Sequence, residues 1–194
     1  VSILNNNGNQ LLRSTYLGGA NRDQAFDLEY KAGKLYLCGT AGSGFPTTAG
    51  ASQTTFGAGS IDAFAAIFDT TLTGAASLQA STFYGGSDCD NAFALEVNAS
   101  GQVFITGVTE STNLPGVSGF FDATSNGGID GFVVKFNATL TSRVFATYLG
   151  GTGTDLCYDI TVANGDRATV CGSTTSSAFP TTSGAYDATI QGRD

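Results

Sequence analysis

The chain contains no histidine, no methionine and no tryptophan in 194 residues. Without histidine there is no Ser–His or Cys–His nucleophilic pair, no imidazole general base and no imidazole metal ligand. Charge is scarce too. Charged residues make up 12% of the chain, with 8 Lys and Arg against 16 Asp and Glu, a net charge of −8. A nucleic-acid partner needs a cationic footprint, and none is present. The few basic residues are scattered, so no polybasic membrane patch forms. No apolar run approaches the roughly 20 residues that span a bilayer. The lack of Met means that Val1 is not an initiator, and no signal-peptide pattern precedes it. The chain therefore reads as mature or excerpted material. There are only three prolines, all in long links, and the four cysteines form no CxxC pair, which argues against a zinc ribbon.

What the chain has in plenty is glycine, 27 residues of it, and a repeated phrase. Ser14-Thr15-Tyr16-Leu17-Gly18-Gly19 returns as Ser81-Thr82-Phe83-Tyr84-Gly85-Gly86, and again as Ala146-Thr147-Tyr148-Leu149-Gly150-Gly151, at steps of 67 and 65 residues. A glycine-punctuated period of this length, rich in β-formers, marks a repeat architecture. Each period holds four strand-like segments. The first is Asp62 to Phe68 or Asp130 to Phe136, and the second is Arg143 to Leu149 or its counterparts. The third is Gln24 to Tyr30, Asn91 to Val97 or Leu156 to Val162. The fourth is Leu35 to Gly39, Val103 to Gly107 or Ala168 to Gly172. Several are apolar on both faces, as expected of sheets covered on both sides.

The links between segments suggest their order. Three are of hairpin length, among them Asn137-Ala138-Thr139, the Gly-Gly turn and Asn164-Gly165-Asp166. The fourth is long: Thr40 to Ile61, Val108 to Ile129, and Ser173 to Arg193. Taken as the crossover between blades, it predicts an all-β propeller of three four-stranded antiparallel blades. The blades would cover residues 1–61, 62–129 and 130–194, with the Asp62 and Asp130 segments innermost and Val1 to Leu4 as their counterpart. Three blades do not close a ring. The chain is therefore expected to be an excerpt of a larger, six- to eight-bladed propeller, or else to close one by association of copies.

The same residues resemble the bacterial SBBP β-propeller repeat, whose consensus runs STYLGG, then D-x-A, V-x-G, FPTT-x-GAY and DAFVAKF. The matches are Ser14 to Gly19, Asp23 with Ala25, Phe45-Pro46-Thr47-Thr48 and Asp62-Ala63-Phe64. In the third copy they are Phe179-Pro180-Thr181-Thr182 and Gly184-Ala185-Tyr186. The middle copy departs, with Asn113-Leu114-Pro115-Gly116. The resemblance covers essentially the whole chain. It implies a secreted or surface propeller within large proteins, and no catalytic residues common to the family come with it.

Carboxylates and thiols are the remaining chemistry. Asp23, Asp90 and Asp155 occupy one repeat position; Asp62, Asp130 and Asp194 occupy another. Acids recurring in every copy are read as structural, accepting backbone N–H groups at the turn that enters a strand. Asp88 with Asp90 places oxygen ligands at alternate positions, the one hint of a calcium loop, set against a plain solvated turn. Asp27, Glu29 and Asp159 lie within third segments and are expected at a rim facing water. Cys157 and Cys171 flank one hairpin and are candidates for a disulfide, set against four small buried thiols. Cys38 lacks the equivalent partner, which leaves Cys89 for it. The two sequons, Asn98-Ala99-Ser100 and Asn137-Ala138-Thr139, fall at hairpin tips where turn chemistry alone favours Asn.

The functional expectation is a non-catalytic module, extracellular or at the cell surface with the periplasm as an alternative. It would bind a protein or glycan partner, or further blades of the same or another chain, without a cofactor unless calcium. The alternatives are a structural subunit of a surface filament or large complex, and a secreted carboxylate-dependent hydrolase or lyase. The absence of His and the repetition of the acids argue against the last.

Overall fold

The computed structural model describes residues 1–163 and 166–190. The hairpin tip at Asn164 and Gly165, and Asp194 with its expected role, lie outside them. The described residues form twelve strands and one short 3-10 turn, Gly74–Ser77. They make four antiparallel sheets. The first is β1 (Ser2–Leu4) with β2 (Leu11–Ser14). The second runs β3 (Asp23–Lys31), β4 (Lys34–Ala41), β5 (Asp62–Asp69), β6 (Leu78–Tyr84). The third runs β7 (Asp90–Val97), β8 (Val103–Thr109), β9 (Asp130–Phe136), β10 (Arg143–Leu149). The fourth is β11 (Asp155–Ala163) with β12 (Arg167–Thr174).

This grouping corrects the boundaries expected at residues 61/62 and 129/130. There are two complete four-stranded sheets and two half-sheets, rather than three complete ones. The long link from Thr40 to Ile61 does not change sheet: it joins β4 to β5, which are hydrogen-bonded neighbours. The chain changes sheet at the short Gly-Gly turn, between β6 and β7 and again between β10 and β11. Link length misleads here for a geometric reason. Stacked sheets lie about 10 Å apart, which a handful of residues at roughly 3.3 Å each can cross. The long link stays within its sheet because it folds back as a lid, with Phe45 packed on Phe64 and Phe83. The Asp62 and Asp130 strands are accordingly third in their sheets, not first. The first strands are β3, β7 and β11, and consecutive sheets meet along them.

The four sheets stack face to face, which gives three cores. Along β5 the side chains alternate with period two. Ala63, Ala65 and Ile67 face the third sheet, where Ile105, Phe132, Val134, Phe136 and Tyr148 meet them. Phe64, Ala66 and Phe68 face the other way, under Val1 and Ile3 of the first half-sheet. Phe104 and Val133, from the far face of the third sheet, pack against Ile160, Val162, Ala168 and Val170 of the fourth. Strands apolar on both faces are thus covered on both faces, as their sequence requires.

Each first strand carries a bulge at the same place: between Ala25 and Asp27, Ala92 and Ala94, Cys157 and Asp159. Opposite each bulge stands a glycine, Gly39, Gly107 or Gly172. A Cβ there would come within 1.9, 1.9 or 1.8 Å of a carbonyl oxygen of the bulged strand. The extra residue crowds its partner strand, and only glycine leaves room.

Candidate functional site

The bulges create a surface feature common to all three copies. The residue each one carries is aromatic: Phe26, Phe93 and Tyr158. Phe26 and Phe93 meet edge to face at 5.8 Å between ring centroids, and Phe93 and Tyr158 stack at 6.4 Å. Phe26 and Tyr158 are about half exposed, at 46% and 50%. A line of rings therefore crosses three consecutive sheets, one rung per sheet. Partly exposed aromatic faces offer large contact area at little entropic cost. Sequence reasoning reads these residues only as strand formers. The signal that could have found them is an aromatic at one repeat position in all three copies.

Beside this ladder lie the acids expected at a water-facing rim. Asp27 and Glu29 instead reach across to the neighbouring sheet. The Leu95 N–H donates to Asp27 Oδ2 at 2.8 Å and the Val97 N–H to Glu29 Oε2 at 2.7 Å. Lys31 donates to the Val97 carbonyl and pairs with Glu29. Side chains of β3 thus satisfy the free edge of β7, which would otherwise carry unpaired backbone groups. Asp159 accepts the N–H of its own neighbour Ile160. The next junction is held differently. Buried Lys135 meets Asp166 at 2.8 Å, which also accepts from Asn98 Nδ2, and the Lys135 ammonium lies 5.0 Å over the Phe104 ring.

The five recurring aspartates among the described residues receive backbone N–H groups from the turn before their strand. Gly19 donates to Asp23, Gly86 to Asp90 and Gly151 to Asp155, at 2.7 to 2.8 Å. Gly57 donates to Asp62 at 2.7 Å and Asn126 to Asp130 at 2.8 Å. The hydroxyls of Ser111 and Ser176 add to Asp90 and Asp155. Between consecutive sheets the carboxyls are drawn together in pairs around a glycine. A Cβ at Gly85 would lie 2.6 Å from Asp62 Cγ and 2.6 Å from Asp90 Oδ2. Gly150 stands likewise between Asp130 and Asp155. Asp62 Oδ1 and Asp130 Oδ1 are buried with no hydrogen-bond partner. Burial pushes the Asp62 carboxyl up to about 7, against the Gly57 hydrogen bond and with help from the Asp90 charge. Burial likewise raises Asp90 to about 6. Asp62, Asp90, Asp130 and Asp155 are buried, whereas Asp23 is partly exposed.

Asp88 and Asp90 part company. Asp88 is exposed, with Ser87 on its carboxylate, while Asp90 is turned into the core. Among the described residues no group of three or more His, Cys, Asp or Glu side chains is placed to hold a metal ion.

Cys157 and Cys171 lie on neighbouring strands, where Cys157 faces Gly172 and Cys171 faces Asp159. They do not bridge. Cys157 is buried, with Sγ against Gly131, whereas Cys171 is exposed and follows Val170, which packs in the core. Successive residues of a strand point to opposite faces, so the two thiols are directed apart. Burial holds the Cys157 thiol up at about 11, which makes it a protonated, unreactive core group. Cys38 and Cys89 are also free thiols; Cys38 is buried and Cys89 lies beside Ser60.

Among the described residues no helix is long and apolar enough to cross a membrane. No protein-family model matches this chain, and no curated protein matches it.

Proposed function

We propose that the chain is a non-catalytic β-propeller segment that works outside the cell or at its surface as a binding or scaffold module. The stacked, two-faced sheets and the likeness of the repeat to the SBBP consensus support the propeller reading, in a ring of six to eight blades. The aromatic ladder Phe26–Phe93–Tyr158 carries the binding reading: it is the exposed feature that every copy rebuilds. The partner is a protein or glycan surface that lies across several sheets at once. Use of the five described recurring aspartates as turn caps takes those carboxyls out of acid–base work, which speaks against the hydrolase alternative.

The test is a binding screen of the purified chain against polysaccharide and surface-protein panels, repeated with Phe26→Ala/Tyr158→Ala. Both residues are half exposed, so the fold survives their loss. Binding that falls about tenfold or more in the variant supports the reading. Binding indifferent to both rings, or turnover of a bound ligand, sinks it.

A further inference from the structure

We propose that a hollow between the two complete sheets binds a carboxylate-bearing sugar residue of an acidic glycan. The hollow measures about 380 Å³, within the roughly 300–1,000 Å³ of small-molecule sites. Its walls are the lid between β4 and β5, the Gly85-Gly86 turn, the lid between β8 and β9, and Arg143 at the head of β10. None of its residues belongs to the aromatic ladder, so it is a second site. The repeat is broken here four times. Arg143 stands where the other copies carry Leu11 and Leu78, and Gln53 where they carry Asp122 and Asp187. Asn113 stands where they carry Gly44 and Ala178, and Gly116 where they carry Thr47 and Thr181. The first two changes each make the hollow more positive by one charge: a cation replaces an apolar side chain, and an amide replaces a carboxylate. The last makes room for the cation. Gly116 has a φ of +84°, and a Cβ there would come within 3.0 Å of Arg143 Nε.

Arg143 is the one charged side chain that lines the hollow. It is partly buried, and Nη1 donates to the Ser52 carbonyl at 3.2 Å and to Ser52 Oγ at 2.9 Å. Among the described residues Nε and Nη2 have no hydrogen-bond partner, and no carboxylate pairs with the guanidinium. A guanidinium fixed at one nitrogen and open at the other two presents the fork that a carboxylate takes with two parallel bonds. Asp62 and Asp90 lie behind Gly57 and Gly85, where burial pushes both carboxyls up, and Asp88 does not line the hollow. One cation in front of these acids suits a singly charged anion better than a phosphate. The rest of the lining fits the body of a sugar. Asn113 Oδ1 accepts the Ser87 N–H at 2.9 Å, which fixes the amide and leaves Nδ2 as a donor to a hydroxyl. Phe56 and Pro115 offer apolar faces to the C–H side of the ring. The N–H groups of Gly85, Gly86 and Ser87 are already given to Gln53, Asp90 and Asn113, so this turn offers a peptide backbone no ladder to join.

The experiment is titration of the intact chain with digalacturonate, followed by amide chemical shifts, beside neutral digalactose and a Glu-Glu dipeptide. Digalacturonate should move the amides of Gly85, Gly86 and Ser87 and bind about tenfold or more tighter than digalactose, as a charge-assisted pair requires. Arg143→Leu, which restores the residue of the other copies, should weaken it about tenfold or more. Gln53→Asp, which restores their acid, should weaken it with Arg143 still in place. No binding of digalacturonate, equal binding of digalactose, shifts confined to residues away from the hollow, or an Arg143→Leu variant that binds like wild type overturns the proposal. Preference for the dipeptide overturns it in favour of a peptide ligand. If Arg143→Leu misfolds, the Gln53→Asp comparison decides alone. Phe26→Ala/Tyr158→Ala should keep this binding, so the ladder and the hollow stand or fall separately.

Discussion

In the sheet β3–β6 the lid residue Phe45 lies 4.5 Å from Phe64 and 5.8 Å from Phe83, between ring centroids. In the sheet β7–β10 the smaller Leu114 takes the lid position, and Tyr148 stands where Phe83 stood. The added hydroxyl is not left over: it donates to Ser111 O and accepts the Leu114 N–H, both at 2.9 Å. In the first sheet the Phe45 N–H turns to Gly42 O instead. Size lost at the lid accompanies polarity gained on the strand, and the backbone of the lid adapts to whichever is present. Repeat copies thus diverge in linked pairs, because a core polar atom is tolerated only with its partners.

The comparison is tested hardest at its centre. Phe132→Ala should cost about 3–5 kcal/mol, as a buried aromatic lost between two complete sheets. Phe64→Ala should cost less, because its far side is covered only by the half-sheet β1–β2. Chemical denaturation of both variants measures the difference, and equal costs would show that the half-sheet packs as well as a whole one.

Next in size is Tyr148→Phe. It orphans the Leu114 N–H and the Ser111 carbonyl, so a loss of about 1–3 kcal/mol is expected. The reverse change, Phe83→Tyr, should also destabilise, since the first lid has no partner ready for a hydroxyl. A stabilised Phe83→Tyr would break the linkage between lid and strand.

The carboxyl pairs give a smaller, pH-dependent effect. A folded-state pKa raised to about 7 at Asp62 and about 6 at Asp90 means that folding favours the protonated forms. That contribution is complete below the ordinary aspartate range of about 4 and is lost as pH rises through 6 and 7. The melting temperature should therefore climb when pH falls from 8 to 5, as scanning calorimetry would show. Asp62→Asn should raise it at pH 8 and flatten the slope. A slope unaltered by the substitution would place its origin elsewhere.

The smallest effect is expected at Tyr84. Its hydroxyl is buried without a partner, so Tyr84→Phe should change stability by no more than about 0.5 kcal/mol, or improve it. It stands as the counterweight to Tyr148→Phe: one core tyrosine uses its oxygen and the other does not.

The strands were legible in the sequence because each copy repeats the same two-faced apolar segments. Their grouping into sheets was not. Hydrogen-bonded neighbours are chosen by geometry, and a short turn reaches a stacked sheet as easily as a long lid returns to its own. The bulges were hidden for another reason. Ala25-Phe26-Asp27, Ala92-Phe93-Ala94 and Cys157-Tyr158-Asp159 align without a gap, since all three copies carry the same extra residue. That residue reverses the in–out alternation halfway along the strand, which is why Ala92, Leu95 and Val97 share one core while Ala94 joins another. The aromatic ladder and the bonds from Asp27 and Glu29 to β7 depend on that reversal. The direction of Cys171 away from Cys157 follows from the same local geometry.

The offset between sequence repeat and sheet also has a practical side. The repeat period and the grouping of strands into sheets are out of step by two strands. A circular permutant that opens at Asp23 and carries residues 1–22 behind β12, through a short linker, would bring the chain into phase. It would hold three whole sheets built from the same residues.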